Sequence, residues 1–91
     1  MIICTTDPGA RVPDGFSPKD LRGYIEHKTG EDIESTIADS PERFRVIESE
    51  ALRDLVVMSE IEGTDIYITL LPGTPENPAC TRLLKDYCVL Q

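Results

Sequence analysis

The acidic residues are the ones in this chain whose number and spacing indicate a possible binding function. The formal net charge is −8, and between residues 26 and 65 twelve acids face only four bases, so this segment carries the whole excess. Binding a phosphate backbone requires a basic surface, so direct nucleic-acid binding is not expected. A protein with a basic surface would be attracted to the segment. An acidic surface that only keeps a small protein soluble would have the same composition.

Seven of these acids are predicted to bind a partner, because they fall on predicted connections, where side chains are free to face one. One group follows the first predicted helix, and the other surrounds a predicted hairpin turn. On a strand, Glu60 and Glu62 would share one side and present paired charge, and the two groups are expected to flank each other. The predicted partner-binding residues are Glu31, Asp32, Glu34, Asp39, Glu60, Glu62 and Asp65.

The three cysteines and the single histidine could supply metal or nucleophile chemistry, but their spacing argues against both. Cys80 and Cys88, eight residues apart on a predicted helix, would have Cα atoms ~12 Å apart. That separation is too long for a disulfide or a shared zinc ion. His27 falls on the polar side of the first helix, and Cys4 on a strand indicates packing. We therefore expect reduced, replaceable thiols, and no catalytic residue, metal or cofactor.

Other signatures of enzymes and membrane proteins are missing from the sequence. There is no Walker loop, no GxGxxG and no EF-hand loop. No run of ~18 apolar residues is present, and the first residues lack the basic region of a secretory signal. The chain is expected to be a non-enzymatic cytoplasmic protein without membrane contact, with one domain over residues 1–91.

The patterns that position these residues predict an α+β fold with a small three-stranded, mainly antiparallel sheet and helices on one face. The first residues are β-rich. Ser17 as N-cap with Pro18 next predicts a helix over 17–29, and the same cap-then-proline signal starts helices at Pro41 and Pro78, the last running over 78–88. A short strand over 44–47 is the alternative for the middle helix.

The chain also contains a predicted hairpin, in which residues 55–61 pair with residues 66–71 across a turn at 62–65. Residues 31–39 fit a short helix or an extended connector equally well. The apolar stripes of the predicted elements give the predicted core. Its residues are Leu21, Ile25, Ile47, Leu55, Ile68, Leu70, Leu83, Leu84 and Tyr87.

Several segments resemble the phage uracil-DNA glycosylase inhibitor family. Residues 20–30 look like the opening helix of that family, and residues 34–37 with Pro41-Glu42 look like its next strand and helix start. The similarity covers about half of the chain with gaps. This chain departs from the family by adding a strand before the first helix and by ending in a helix. A shorter stretch, residues 63–67, resembles the acidic, all-helical immunity proteins of nuclease colicins.

Both resemblances imply an acidic protein that occupies the nucleic-acid site of an enzyme. The first functional expectation is accordingly an inhibitor or DNA mimic of the phage or mobile-element counter-defence type, as anti-CRISPR proteins are, whose carboxylates replace phosphates against Arg and Lys of its target. The second is a non-catalytic interaction or assembly subunit that binds through an apolar face or a strand edge. An enzyme would instead require a pocket with convergent polar groups. The oligomeric state stays open.

Overall fold

A sheet of four parallel strands forms the centre of the computed structural model, which describes residues 1–91. The strands lie in the order β2-β3-β1-β4, and every neighbouring pair is parallel. The mixture of helices and strands is confirmed, but the predicted three-stranded, mainly antiparallel sheet is wrong. The strands are Ile2–Thr5 (β1), Ser17–Asp20 (β2), Ile66–Thr69 (β3) and Val89–Leu90 (β4).

Four α-helices connect the strands, and local capping explains where most of them begin. The Ser40 hydroxyl accepts a hydrogen bond from the Arg43 N–H, and the Asn77 side chain accepts one from the Ala79 N–H. A proline follows each cap, which confirms the helix starts predicted at Pro41 and Pro78. The helices are Leu21–Thr29 (α1), Ile33–Asp39 (α2), Pro41–Glu62 (α3) and Pro78–Tyr87 (α4), with a short 3-10 helix at Thr74–Glu76.

The predicted hairpin is wrong because residues 55–61 belong to α3. Leu55 and Val56 continue the buried stripe of that helix, so packing decides against the β-propensity of the run. Gly63 then ends the helix in the left-handed conformation, with φ 66°, and its N–H bonds to the Ser59 carbonyl. The segment that looked like a hairpin turn is therefore a helix C-cap.

The predicted start of the first helix is also wrong. Residues 17–20 pair with β3 in parallel, Ser17 opposite Ile66 and Asp20 opposite Thr69. These long-range backbone hydrogen bonds replace the local cap that Ser17 could have provided, and the helix begins only at Leu21. Within residues 31–39, for which a short helix and a connector were both open, Ile33–Asp39 form α2, capped by Asp32.

The main core lies between the helices and one face of the sheet. Ile2, Cys4, Ile66 and Ile68 alternate onto this face and pack with helix residues such as Leu52. Crossover connections between parallel strands are almost always right-handed. The connections from β2 to β3 and from β3 to β4 run across the sheet in the same direction, so their helices lie on one face. The step from β1 to β2 runs the opposite way, and the same rule takes residues 6–16 over the other face.

Three residues of the predicted core are not buried. Ile47 and Leu83 are half-buried and pack at the edge of the core, and Tyr87 is 49% exposed. None of the helices is long and apolar enough to cross a membrane.

Candidate functional site

The long helix α3 sets the distances between the acidic residues. Its 22 residues span ~33 Å at the helical rise of ~1.5 Å per residue, close to the longest dimension of the protein, 38 Å. Residues near Pro41 and residues near Glu62 therefore lie at opposite ends of the molecule.

At the N-terminal end of α3, two of the predicted binding residues face a cation of the chain itself. The Arg43 guanidinium, in the first turn of α3, lies 3.9 Å from a carboxylate oxygen of Glu31 and 3.9 Å from one of Asp39. Glu31 also accepts a hydrogen bond from the Thr36 hydroxyl at 3.1 Å. These carboxylates hold α2 against the start of α3.

The other two predicted residues at this end are also occupied. Arg22 donates to Glu34 at 2.9 Å, and this hydrogen bond holds the pKa of the Glu34 carboxyl below its usual value. Asp32 accepts the Ser35 N–H at 2.7 Å as the N-cap of α2, and this bond lowers the pKa of the Asp32 carboxyl. All four acids at this end therefore have partners inside the chain.

At the C-terminal end of α3 the acids have a different environment. Glu60 and Glu62 lie in the last turn, which contains no basic residue, and neither takes part in an ion pair. The C-terminus of a helix carries a partial negative charge, so two further carboxylates there concentrate negative potential. Asp65 follows closely, and its carboxylate lies 2.6 Å from the Met1 amino group.

Glu60 and Glu62 do not form the predicted pair. On a helix, residues two apart point ~200° away from each other. Glu60 borders the space between α3 and α4, whereas Glu62 lines a small cleft of about 20 Å³ beside Lys19 and Ile66. The two predicted groups are separated as well, because Arg43 and Glu60 are ~25 Å apart along α3.

Between α3 and α4 lies an open groove of about 440 Å³, here called the Tyr87 groove. Its lining combines apolar side chains with two acids and two arginines. A neighbouring hollow of about 280 Å³, which Asp65 lines, shares Glu60 and Tyr87 with the groove and extends it. The lining residues of the groove are Arg53, Val56, Val57, Glu60, Ala79, Arg82, Leu83, Asp86 and Tyr87.

Tyr87 is the most unusual residue of this groove. The hydroxyls of Tyr24 and Tyr67 donate to Asp54 and Gln91, but the hydroxyl of Tyr87 makes no hydrogen bond within the chain. Tyrosines that present an apolar ring and a free hydroxyl are enriched in protein interfaces. The helical stripe had placed Tyr87 in the core, and the available signal was its position in the last turn of α4, beyond the buried Leu84.

A second cavity of about 370 Å³ opens beside the carboxyl ends of the strands, where parallel sheets commonly bind ligands. Its most buried charge is Glu48, which is 3% exposed. Both Glu48 oxygens are occupied, one by the Thr74 hydroxyl at 2.9 Å and the other by the Asn77 amide at 2.8 Å. Asn77 also donates to the Arg45 carbonyl. These groups bind each other and hold residues 70–77 on α3, so they do not converge on a ligand.

The remaining candidates for chemistry are dispersed. His27 is exposed, and Cys4 and Cys80 are buried. No three His, Cys, Asp or Glu side chains are grouped so that they could hold a metal ion.

The chain matches no family model, no curated protein and no solved structure. The resemblance to the glycosylase inhibitor family therefore stays a prediction. Of the seven predicted binding residues, the structure brings Glu60 and Asp65 together beside Tyr87 and leaves the other five elsewhere.

Proposed function

We propose that the protein is a small non-catalytic binding domain that binds a partner protein with a basic surface at the Tyr87 groove. The observation that carries the proposal is the position of Tyr87. Its free hydroxyl and half-exposed ring lie beside apolar Val57 and Leu83, and Glu60, without an ion pair, borders the same space.

The apolar part of the groove supplies the contact area. Val57 is 43% exposed and Ile61, one turn further on, is 80% exposed, so an apolar strip continues along α3 from the groove. Aromatic side chains in such settings often contribute most to binding, provided that the partner excludes water from them. The groove alone is smaller than a standard interface of ~800 Å² per partner, so the partner is expected to cover the adjoining strip as well.

The charge supplies the preference for a basic partner. Glu60 lies at the negative end of α3, where a carboxylate is unfavourable until a cation approaches. A Lys or Arg of the partner would relieve that repulsion. It would therefore gain more binding free energy beside Glu60 than beside an acid that already has a partner. For this reason the proposal rests on Glu60 and assigns structural roles to Glu31, Asp32, Glu34 and Asp39. Asp65 lines the adjoining hollow but already pairs with the Met1 amino group.

The finer form of the proposal is that the partner is an enzyme that acts on nucleic acid and that binding blocks its basic site. The net charge and the resemblance to the glycosylase inhibitor family support this form. Uracil-DNA glycosylase is accordingly the first enzyme to test, with uracil excision as the activity measured.

Selection of binding peptides from a random displayed library tests the proposal even while the partner is unidentified. We expect the selected peptides to combine Lys or Arg with apolar residues and to lose ~tenfold or more in affinity, ~1.4 kcal/mol, for Glu60→Lys and for Tyr87→Ala. Glu62→Lys is the matched control, because it makes the same charge change in the same helical turn on the other side of α3. Affinity should also fall between roughly 50 and 500 mM salt.

The result that would contradict the proposal is equal binding of the selected peptides to the parent and to folded Glu60→Lys and Tyr87→Ala. The apolar lining also favours a second candidate, an assembly subunit whose partner needs no basic surface. In that case Tyr87→Ala alone would weaken binding, and the affinity would be insensitive to salt. Failure to inhibit uracil excision would remove only the glycosylase as target.

A further inference from the structure

Cys4 and Cys88 are brought together at the edge of the sheet. Cys4 lies opposite Leu90 in the parallel pair of β1 and β4. Side chains two positions apart on an extended segment share a face, so Cys88 lies on the same face as Cys4. Cys88 is extended, with φ −123° and ψ 151°, and packs against the core cluster that contains Cys4. Because α4 ends at Tyr87, Cys88 is not part of the helix that the sequence predicted for it. Its extended backbone leads directly into β4.

The environments of the three thiols differ. The neighbouring Cys4 thiol holds the pKa of Cys88 below its usual value, while the proximity of Cys88 and burial raise the pKa of Cys4. Burial and the charge of Glu48 raise the pKa of Cys80 to about 12. Cys88 is also the only half-exposed cysteine, and it lines an open hollow of about 280 Å³ together with Lys85. Cys88 is therefore both the most acidic and the most accessible of the three thiols.

We propose that Cys88 is an oxidation site that reacts with a hydroperoxide and is then joined to Cys4 as an intramolecular disulfide. In the first step the Cys88 sulfur attacks the peroxide, an S–O bond forms, the O–O bond breaks, and the leaving oxygen takes up a proton as water or an alcohol. In the second step the Cys4 sulfur attacks the Cys88 sulfur, the S–O bond breaks, and water leaves with the Cys4 proton. The two thiols lose two electrons and the peroxide gains them.

The disulfide would constrain β4. A disulfide holds its two Cα atoms ~4.4–6.8 Å apart. Cys88 directly precedes β4, so forming the bond would adjust the position of β4 against β1. β4 has only two residues, Val89 and Leu90, both half-exposed. The next residue, Gln91, accepts the Tyr67 hydroxyl at 2.9 Å, so Tyr67 should report the movement.

The test is hydrogen peroxide treatment of the purified full chain, followed by intact-mass and peptide mass spectrometry. The expected product has lost two hydrogens, contains a Cys4–Cys88 crosslink, returns to the starting mass with a dithiol reductant, and shows shifted NMR signals for Tyr67. Cys4→Ala should stop at a sulfenic acid on Cys88 that dimedone traps, Cys88→Ser should give neither product, and Cys80→Ser should behave as the parent.

Three results would overturn the proposal. These are oxidation of Cys80 before Cys88, a sulfenic acid on Cys88 of the parent that never proceeds to the crosslink, and disulfides formed only between molecules. If the variants fail to fold, alkylation of the unmodified parent still decides, because Cys88 must react with iodoacetamide before Cys4 and Cys80. Equal alkylation rates of the three thiols in the folded protein would contradict the proposal as well.

Discussion

The two ends of α3 contain similar numbers of acids in opposite circumstances. At the N-terminal end, Glu31 and Asp39 lie beside Arg43, and Asp32 caps a helix. At the C-terminal end, Glu60 and Glu62 form no ion pair, although the helix itself repels them there. The acids that have partners inside the chain thus lie ~25 Å from the acids that form no ion pair. Acids without an ion pair are the better candidates for binding a partner protein.

Glu48, in the middle of the same helix, shows the extreme case of internal use. Its carboxylate is 3% exposed and satisfies two buried donors, Thr74 and Asn77. A count of acidic residues cannot distinguish Glu48 from Glu50, which lies two residues away on the exposed side. The difference between the two becomes measurable when each is removed.

Glu48→Ala should give the largest effect, because it leaves the buried Thr74 hydroxyl without its acceptor and the Asn77 amide with only the Arg45 carbonyl. Each buried donor left without its partner costs ~1–3 kcal/mol of unfolding free energy. The matched control, Glu50→Ala, should change it by less than ~0.5 kcal/mol. Urea unfolding followed by circular dichroism measures both. Similar losses for the two variants would show that Glu48 does not brace residues 70–77.

The second prediction concerns the cap at the N-terminal end of α3. Ser40→Ala removes the hydroxyl that accepts the Arg43 N–H at 3.2 Å, and such a loss costs ~1 kcal/mol. Ser49→Ala is the control within the same helix. Its hydroxyl only bonds the Val46 carbonyl, and alanine has the higher helix propensity, so thermal unfolding should show no loss. A Ser40→Ala variant as stable as the parent would mean that the cap contributes nothing to this end.

The parts of the fold that could be predicted from sequence are those fixed by neighbouring residues. Ser40 with Pro41, and Asn77 with Pro78, specify helix starts through contacts that lie within four residues. The sheet could not be predicted in this way, because β1, β2 and β3 are joined by parallel pairing across long separations. Ser17 carries an equally good cap signal, yet its segment becomes β2 because pairing with β3 satisfies its backbone.

The charge of the candidate site follows from the sequence, but its location does not. The excess of acids predicted a site in the middle of the chain, and the assumption of a hairpin put Glu60 and Glu62 on one face. Once Leu55 continues the stripe of α3, the same two residues point in opposite directions and only Glu60 borders Tyr87. Which acids keep a partner depends on where Arg22 and Arg43 lie in three dimensions, and no local pattern encodes that.

The smallest predicted effect is a change in the free energy of unfolding whose sign should differ between the two ends of α3. Glu42 lies in the first turn of α3, where a carboxylate interacts favourably with the helix dipole, and Glu60 and Glu62 lie in the last turn, where the interaction is unfavourable. Glu42→Gln should therefore lower the free energy of unfolding by ~0.3–1 kcal/mol at low ionic strength, and the double variant Glu60→Gln with Glu62→Gln should raise it by a similar amount. Both changes should shrink as salt is added, because exposed charges are screened over ~10 Å at 0.1 M and ~3 Å at 1 M. Urea titrations of the three proteins at low and high salt measure the sign and its decay. A loss of stability in the double variant would show that these two carboxylates have stabilising partners in the folded chain, and the C-terminal end would then resemble the N-terminal end.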